Sequence, residues 1–299
     1  DPPLGGGGGG ERSWMGADDA RRSGASSAHA RFVPGAMIAA RYRVVSLLGR
    51  GGMGEVYRAD DLRLGQTVAI KFLPALVEKD EARLARLNQE LRLAREVARP
   101  NVARVFDIGD FEGEHFLTME FVDGEDLASL LRRVGRPNPD KAMEIVRQIC
   151  AGVAALHERG VLHRDLKPAN IMLDGRGRVR IMDFGLALRQ QVDGSSVGAA
   201  RSAGGTPGYM APEQWSGGPV TEATDVYAIG LILHELFTGR SAAQGESIDA
   251  YRRWHLSTPV ESVSHSLSEV NPEIERVILA CIAKDPSERP ASALAVSAM

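Results

Sequence analysis

The run His163-Arg164-Asp165-Leu166-Lys167-Pro168-Ala169-Asn170 constrains this chain more than any other stretch of it. It brings five chemically special residue types into one short segment. Asp165 can accept the proton of an attacking hydroxyl, Asn170 can ligate a metal ion, and Lys167 can stabilise negative charge on a transferred group. Asp183-Phe184-Gly185 follows and adds a second metal-binding carboxylate on a glycine turn. Two oxygen donors and little else suit Mg²⁺, which keeps waters and relies on substrate phosphates. A purely structural account leaves the order of this set unexplained.

A glycine cluster lies upstream: Leu48-Gly49-Arg50-Gly51-Gly52-Met53-Gly54-Glu55-Val56. Gly49, Gly51 and Gly54 satisfy G-x-G-x-x-G, a weak signal alone. A dinucleotide-binding fold requires a helix after the glycines, whereas this sequence continues as a strand. A Walker loop requires Gly-Lys-Ser/Thr, which is absent. A glycine hairpin between two strands can instead bring backbone N–H groups onto the phosphates of ATP. Val68-Ala69-Ile70-Lys71 then places a lysine in an apolar strand, where it must find a partner or an anion. Read alone, it is equally an exposed lysine on a polar face. A carboxylate must hold such a lysine, and Glu90 in the following helical stretch is the candidate, with Glu81 as a rival.

The rest of the chain organises around these motifs. Residues 1–31 hold six consecutive glycines and read as a flexible linker, because they cannot bury enough apolar surface to offset their ordering entropy. Structure is expected to begin near Phe32 or Ile38. Strands are predicted at 42–48, 55–59, 68–73, 102–108 and 115–121, with one helix from about 80 to 97. From Leu127 onward helices dominate: 140–159 ending at Gly160, a buried helix at 224–237, and another at 273–283. The chain starts at Asp1 rather than Met, so a piece of a longer protein is expected, with any membrane anchor outside it. Its longest apolar stretch, Ala228 to Phe237, is short and contains His234 and Glu235, so no span crosses a bilayer. There is no secretory signal, and a cytoplasmic setting is expected. Among 299 residues the net charge is −3, which gives a nucleic-acid partner no electrostatic support. Cys150 and Cys281 fit neither a metal site nor a disulfide framework, and read as buried thiols in a reducing compartment.

Together these motifs resemble the Hanks-type protein kinase family over about residues 38–299. Gly51-Gly52-Met53-Gly54 and the run Gly205-Thr206-Pro207-Gly208-Tyr209-Met210-Ala211-Pro212-Glu213 resemble its bacterial serine/threonine branch. The resemblance implies an α+β, bilobal kinase fold, with a small β-rich N-lobe (about 38–121, one helix) and a larger helical C-lobe (about 125–299). The catalytic domain would run over 32–299, its last helix cut short at Met299. ATP would be bound by Leu48, Gly49, Gly51, Gly54, Val56, Ala69, Lys71, Met119, Glu120, Val122, Asp126 and Met172. Val56 and Ala69 would lie above the adenine and Met172 below it. Met119 falls at the gatekeeper position, Glu120 and Val122 on the hinge, and Asp126 near the ribose. Lys71 would pair with Glu90, Asp165 and Lys167 would act in catalysis, and Asn170 and Asp183 would hold Mg²⁺ (or Mn²⁺). Asp225 would anchor the catalytic loop and Glu213 would pair with Arg289.

Lys167 and Thr206 match the serine/threonine pattern, so protein substrates with Ser or Thr acceptors are implied. Arg164 before Asp165 resembles kinases controlled by phosphorylation of the activation segment, where Ser195, Ser196, Ser202 and Thr206 are candidates and a homodimer is the candidate arrangement for autophosphorylation. Two departures stand out: Arg99-Pro100 where His-Pro is usual, and the small Ala94 at a position often filled by a larger apolar residue. The alternatives are a pseudokinase scaffold that binds nucleotide without catalysis, a small-molecule phosphotransferase and a plain nucleotide-binding domain. The Ala-Pro-Glu segment argues against the second, and the strand after the glycines against the third.

Overall fold

The computed structural model describes residues 30–51, 54–73, 89, 91–184, 207–243, 245–259 and 270–299. Residues 1–29, Glu81, Glu90, Gly185, Ser195, Ser196, Ser202 and Thr206 lie outside the described residues, and so do the expectations placed on them. In the small lobe, six antiparallel strands form one sheet: β1 Met37–Ile38, β2 Tyr42–Gly51, β3 Gly54–Asp61, β4 Gln66–Phe72, β5 Val105–Phe111 and β6 Glu114–Glu120. Their order is β1-β2-β3-β4-β6-β5. Strand period sorts the side chains. Val68, Ile70 and Phe72 of β4 join an outer cluster with Tyr42, Val44, Tyr57, Ala59 and Phe116. Ala69 packs on the other face with Leu91, Leu117 and Met119, and Lys71 shares its parity. The sheet is thus buried on both faces, which explains the almost unbroken apolar run of β4.

One expected strand is displaced. The apolar stretch from Val102 predicts a strand over 102–108, yet β5 begins at Val105. Val102 forms an isolated parallel bridge with Ile181, and Ala103 N donates to Ile181 O at 2.9 Å. The burial that the pattern signalled is real, but its partner belongs to the other lobe. Residues 91–96 are helical, within the stretch expected as a helix.

The large lobe contains α1 Leu127–Val134, α2 Pro139–His157, α3 Pro212–Ser216, α4 Glu222–Thr238, α5 Ile248–Ser257, α6 Pro272–Cys281 and α7 Ala293–Ala298. Asn138 and Asn271 cap α2 and α6, each followed by a proline at the first helical position. Helix α4 is buried nearly all round, as its sequence predicts. Gly230 lets α6 approach it: a Cβ there would meet Cys281 Cβ at 2.5 Å. A small sheet of β7 Gly124–Asp126, β8 Ile171–Asp174 and β9 Val179–Ile181 lies beside the cleft. Among the described residues no helix is long and apolar enough to cross a membrane.

Candidate active site

A cleft of about 780 Å³ opens between the lobes. Its roof is strand-built. Gly51 pairs with Gly54 across the β2–β3 hairpin, so the glycine cluster turns between two strands as expected. Gly54 adopts φ 105°, a conformation that favours glycine. Val56 pairs with Lys71 and Ala69 with Met119 in register. Leu48, Gly49, Val56 and Ala69 line the cleft together with Met119, Glu120, Val122, Asp126, Asn170, Met172 and Asp183. The expected apolar slot, with an acidic and amide-bearing end, is therefore assembled from both lobes.

At that polar end, Lys71 is almost completely buried (3% exposed), and its Nζ lies 2.8 Å from Asp183 Oδ2. A buried ammonium needs such a partner. Asp183 adopts φ 59° and Arg164 φ 66°, left-handed backbone that costs a non-glycine residue about 1–3 kcal/mol. Below them, Lys167 Nζ donates to Asp165 Oδ2 at 2.8 Å. Asn170 Nδ2 donates to Asp165 O at 2.8 Å and to Oδ2 at 3.2 Å. Met182 N donates to Asn170 O at 2.8 Å, fixing the segment of Asp183 against that of Asn170.

The strained loop is held from beneath. Asp225, in the first turn of α4, accepts from His163 N at 2.8 Å and Arg164 N at 2.9 Å, and contacts His157 Nε2 at 2.7 Å. Burial alone would raise the Asp225 pKa, but the His157 hydrogen bond and the neighbouring imidazole and N–H donors hold it below the ordinary carboxylate value. Gln214 Nε2 donates to Arg164 O at 2.8 Å, tying the loop to α3. The anticipated pair is present as well: Arg289 Nη1 and Nη2 donate to Glu213 Oε1 and Oε2 at 2.8 and 2.9 Å, inside the lobe. Burial opposes ionisation of Glu213, and the bidentate Arg289 outweighs it, so its pKa is lowered. Arg99, the departure from His-Pro, makes an exposed ion pair with Glu158 at 3.4 Å, an interaction worth little. Ala94 is buried in the same core cluster as Phe184.

Three features escaped the sequence. His157 supports Asp225 from the end of α2, and no local pattern marks it. Glu120 has both carboxylate oxygens engaged: Oε1 pairs with Arg180 at 3.3 Å, and Oε2 accepts from Arg104 N at 3.2 Å. This joins the hinge to β9, just before Asp183. Asp126 accepts from Ser129 N at 2.8 Å and from Ser129 Oγ at 2.6 Å, capping α1 while lining the cleft. An Asp-x-x-Ser opening a helix is a visible capping signal for that role.

Comparison with known proteins gives the same picture. The protein kinase domain family matches residues 42–298. Serine/threonine-protein kinase Pkn3 of Myxococcus xanthus is 38% identical over 273 residues, covering 88% of this chain and 50% of its own. Serine/threonine-protein kinase PrkC of Bacillus subtilis is 34% identical over 255 residues, covering 85% and 39%. The chain thus spans half or less of the length of these curated relatives. The crystal structure of the Mycobacterium tuberculosis PknI kinase domain superposes with a TM-score of 0.68 at 25% identity, covering 89% of this chain and 97% of that one.

Proposed function

This chain belongs to the protein kinase domain family, as a bacterial serine/threonine kinase domain of the Hanks type, and from that premise we propose how its own residues transfer the γ-phosphate of ATP to a protein hydroxyl. The observation that carries the reading is the meeting of Lys71, Asn170 and Asp183 at one end of a cleft whose other end is an apolar slot. Val56 and Ala69 above and Met172 below suit a planar base. The backbone of the hinge at Glu120–Val122 suits its polar edge, because the Glu120 carboxylate is already engaged. Lys71 is placed to bind phosphate oxygens, exchanging its Asp183 contact for them. The donor set of Asn170 and Asp183 fits Mg²⁺, whose charge, when bound, neutralises the phosphates.

Asp165 accepts the proton of the incoming Ser or Thr hydroxyl. Lys167 and Asn170 both donate to its Oδ2, which leaves Oδ1 as the proton-accepting oxygen. Lys167 also supplies positive charge beside the transferred group. Positioning and charge stabilisation account for most of such a reaction, which is why these groups sit on held backbone. We take residues 32–299 as the catalytic unit, in a reducing cytoplasmic setting that the two buried free thiols Cys150 and Cys281 suit. Autophosphorylation between Asp183 and Glu213, with a homodimer as the arrangement that would serve it, is part of the same reading, and mass spectrometry after incubation with Mg-ATP tests it.

The deciding experiment is radiolabel transfer from ATP to a generic protein substrate by the wild type and by Lys71→Met. Loss of nearly all transfer with an unchanged melting temperature is expected. A Lys71→Met protein that transfers phosphate at the wild-type rate overturns the assignment, and a wild type that binds Mg-ATP without transfer establishes the scaffold reading instead.

A further inference from the structure

We propose that the segment 30–38 is a strap that sets the position of the glycine hairpin, and that Tyr57 is the positioning residue through which it acts. The inference rests on reading the cleft as an ATP site.

The strap is fastened to the outer face of the small lobe, away from the cleft. Gly35 N donates to Val44 O at 2.8 Å, and Val44 N donates to Ala36 O at 2.9 Å. The ring of Phe32 stacks on Phe72 at 5.1 Å and meets Tyr57 and Phe111 edge-on at 5.5 and 5.9 Å. Arg31 lies over Phe32 and Phe72 and pairs with Glu112 and Glu114 of the β5–β6 hairpin. Aromatic and cation–π contacts of this kind hold a short segment more firmly than its length suggests.

From the strap a directed chain of polar groups runs to the hairpin. Phe32 N donates to the Tyr57 hydroxyl at 3.2 Å. That hydroxyl donates to Glu55 Oε2. Glu55 Oε1 in turn pairs with Arg50 Nε at 3.2 Å. Arg50 and Glu55 are cross-strand partners, adjacent to the Gly51–Gly54 pair at the hairpin end. The polarity is fixed: a hydroxyl has one proton, and Tyr57 gives it to a carboxylate, so it can only accept from the strap. Tyr57 is fully buried, and its ionisation is pushed up to about 12 by burial and by Glu55 beside it. A buried hydroxyl that loses a partner is costly, so strap and hairpin stabilise each other's placement. The hairpin is rich in glycine and has little conformational preference of its own, which makes an external hold consequential. Whatever acts on the chain ahead of residue 30 thereby gains a handle on nucleotide affinity.

The test uses the full chain, with Tyr57→Phe, Phe32→Ala and the double variant. Tyr57→Phe keeps the aromatic packing and removes only the relay. Equilibrium binding of Mg-ATP is read beside kcat and KM, and hydrogen exchange is followed at the amides of 49–57 without nucleotide. Loss of one net hydrogen bond predicts a Kd and KM for ATP about three- to tenfold higher in Tyr57→Phe, with kcat changed less than about twofold. Exchange across 49–57 is faster, and the double variant shifts Kd no further than Phe32→Ala alone. If the Tyr57→Phe ring repacks, Glu55→Leu serves instead, because it removes the acceptor of the Tyr57 hydroxyl, and gives the same split between KM and kcat. Unchanged Kd and exchange in Tyr57→Phe, or strictly additive effects in the double variant, overturn the strap. A wild type that fails to bind Mg-ATP sinks the nucleotide reading instead, and the nucleotide-free exchange then decides the strap on its own.

Discussion

The roof and the floor of the cleft hold their working residues by opposite means. In the roof, Val56, Ala69 and Lys71 sit on regular antiparallel strands, and the period of two alone points them at the cleft. In the floor, Asp165 and Asp183 sit on loops, with Arg164 and Asp183 in left-handed backbone. At Arg164 that conformation persists because the buried Asp225 carboxylate receives the N–H groups of His163 and Arg164, and the Asp183 segment is tied to Asn170 through Met182 N. Regular structure positions a side chain at no conformational cost, whereas an irregular loop must be held by charge sealed inside the lobe.

Changes to the floor test the comparison most severely. Asp165→Asn removes the proton acceptor but not the hydrogen-bonding shape. It is expected to lower phosphate transfer by about 10²- to 10⁴-fold, with an unchanged melting temperature in calorimetry. Arg289→Ala attacks the hold rather than the chemistry. It leaves Glu213 buried and unpaired, so a loss of about 3–5 kcal/mol in urea unfolding is expected. A loss below 1 kcal/mol would mean that the pair acts as a surface bridge and that the floor is held some other way.

Acid sharpens the same contrast. Glu213 and Asp225 have folded pKa values below their ordinary 4.5 and 3.8. Their stabilisation is complete above those ordinary values and is lost as pH falls through the folded ones. His255 is buried and neutral, its pKa lowered to about 3 by burial and by the charge of Lys284. It is protonated in the unfolded chain below about 6.5, so its share of the loss begins earlier, as pH falls from there. Melting temperature followed from pH 7 to pH 3 is expected to decline gently at first and steeply near the carboxylate range. The steep part should flatten in Arg289→Met. The smallest effect concerns the cap of α1. Asp126→Ala is expected to cost about 0.5–2 kcal/mol, and Asp126→Ser only a fraction of that, because a serine hydroxyl can still accept from Ser129 N.

The legibility of the sequence follows this division. The roof was readable because strands announce themselves by alternation, and the glycine pattern could be typed by the strand that follows it. The floor was readable only as a motif: His163 to Asn170 spells out the chemistry but not the support. Asp225 and the Glu213–Arg289 pair came from family resemblance, since carboxylates so far along the chain carry no local sign of contact with that loop. His157 and the Arg180–Glu120 bridge had neither signal. The strap was legible only in part. Phe32 is expected as one of two starts of ordered structure, but its few apolar neighbours carry no period that would place it in the outer aromatic cluster. Strands β7 to β9 are three or four residues long, too short for periodicity to register.

The bridge at 101–103 changes what counts as a lobe. In chain order these residues precede β5 and belong to the upper half, yet Ile181 N donates to Asn101 O at 2.9 Å, and Asn101 Nδ2 donates to Gln148 Oε1 at 3.0 Å. Gly152 of α2 lies so close that a Cβ would meet Asn101 O at 2.9 Å. Among the described residues the upper half is therefore tied to the lower body through this splice as well as through Glu120–Val122. Ties at separated places resist relative rotation of the two halves about any line except the one that joins them, which a single connecting thread could not do.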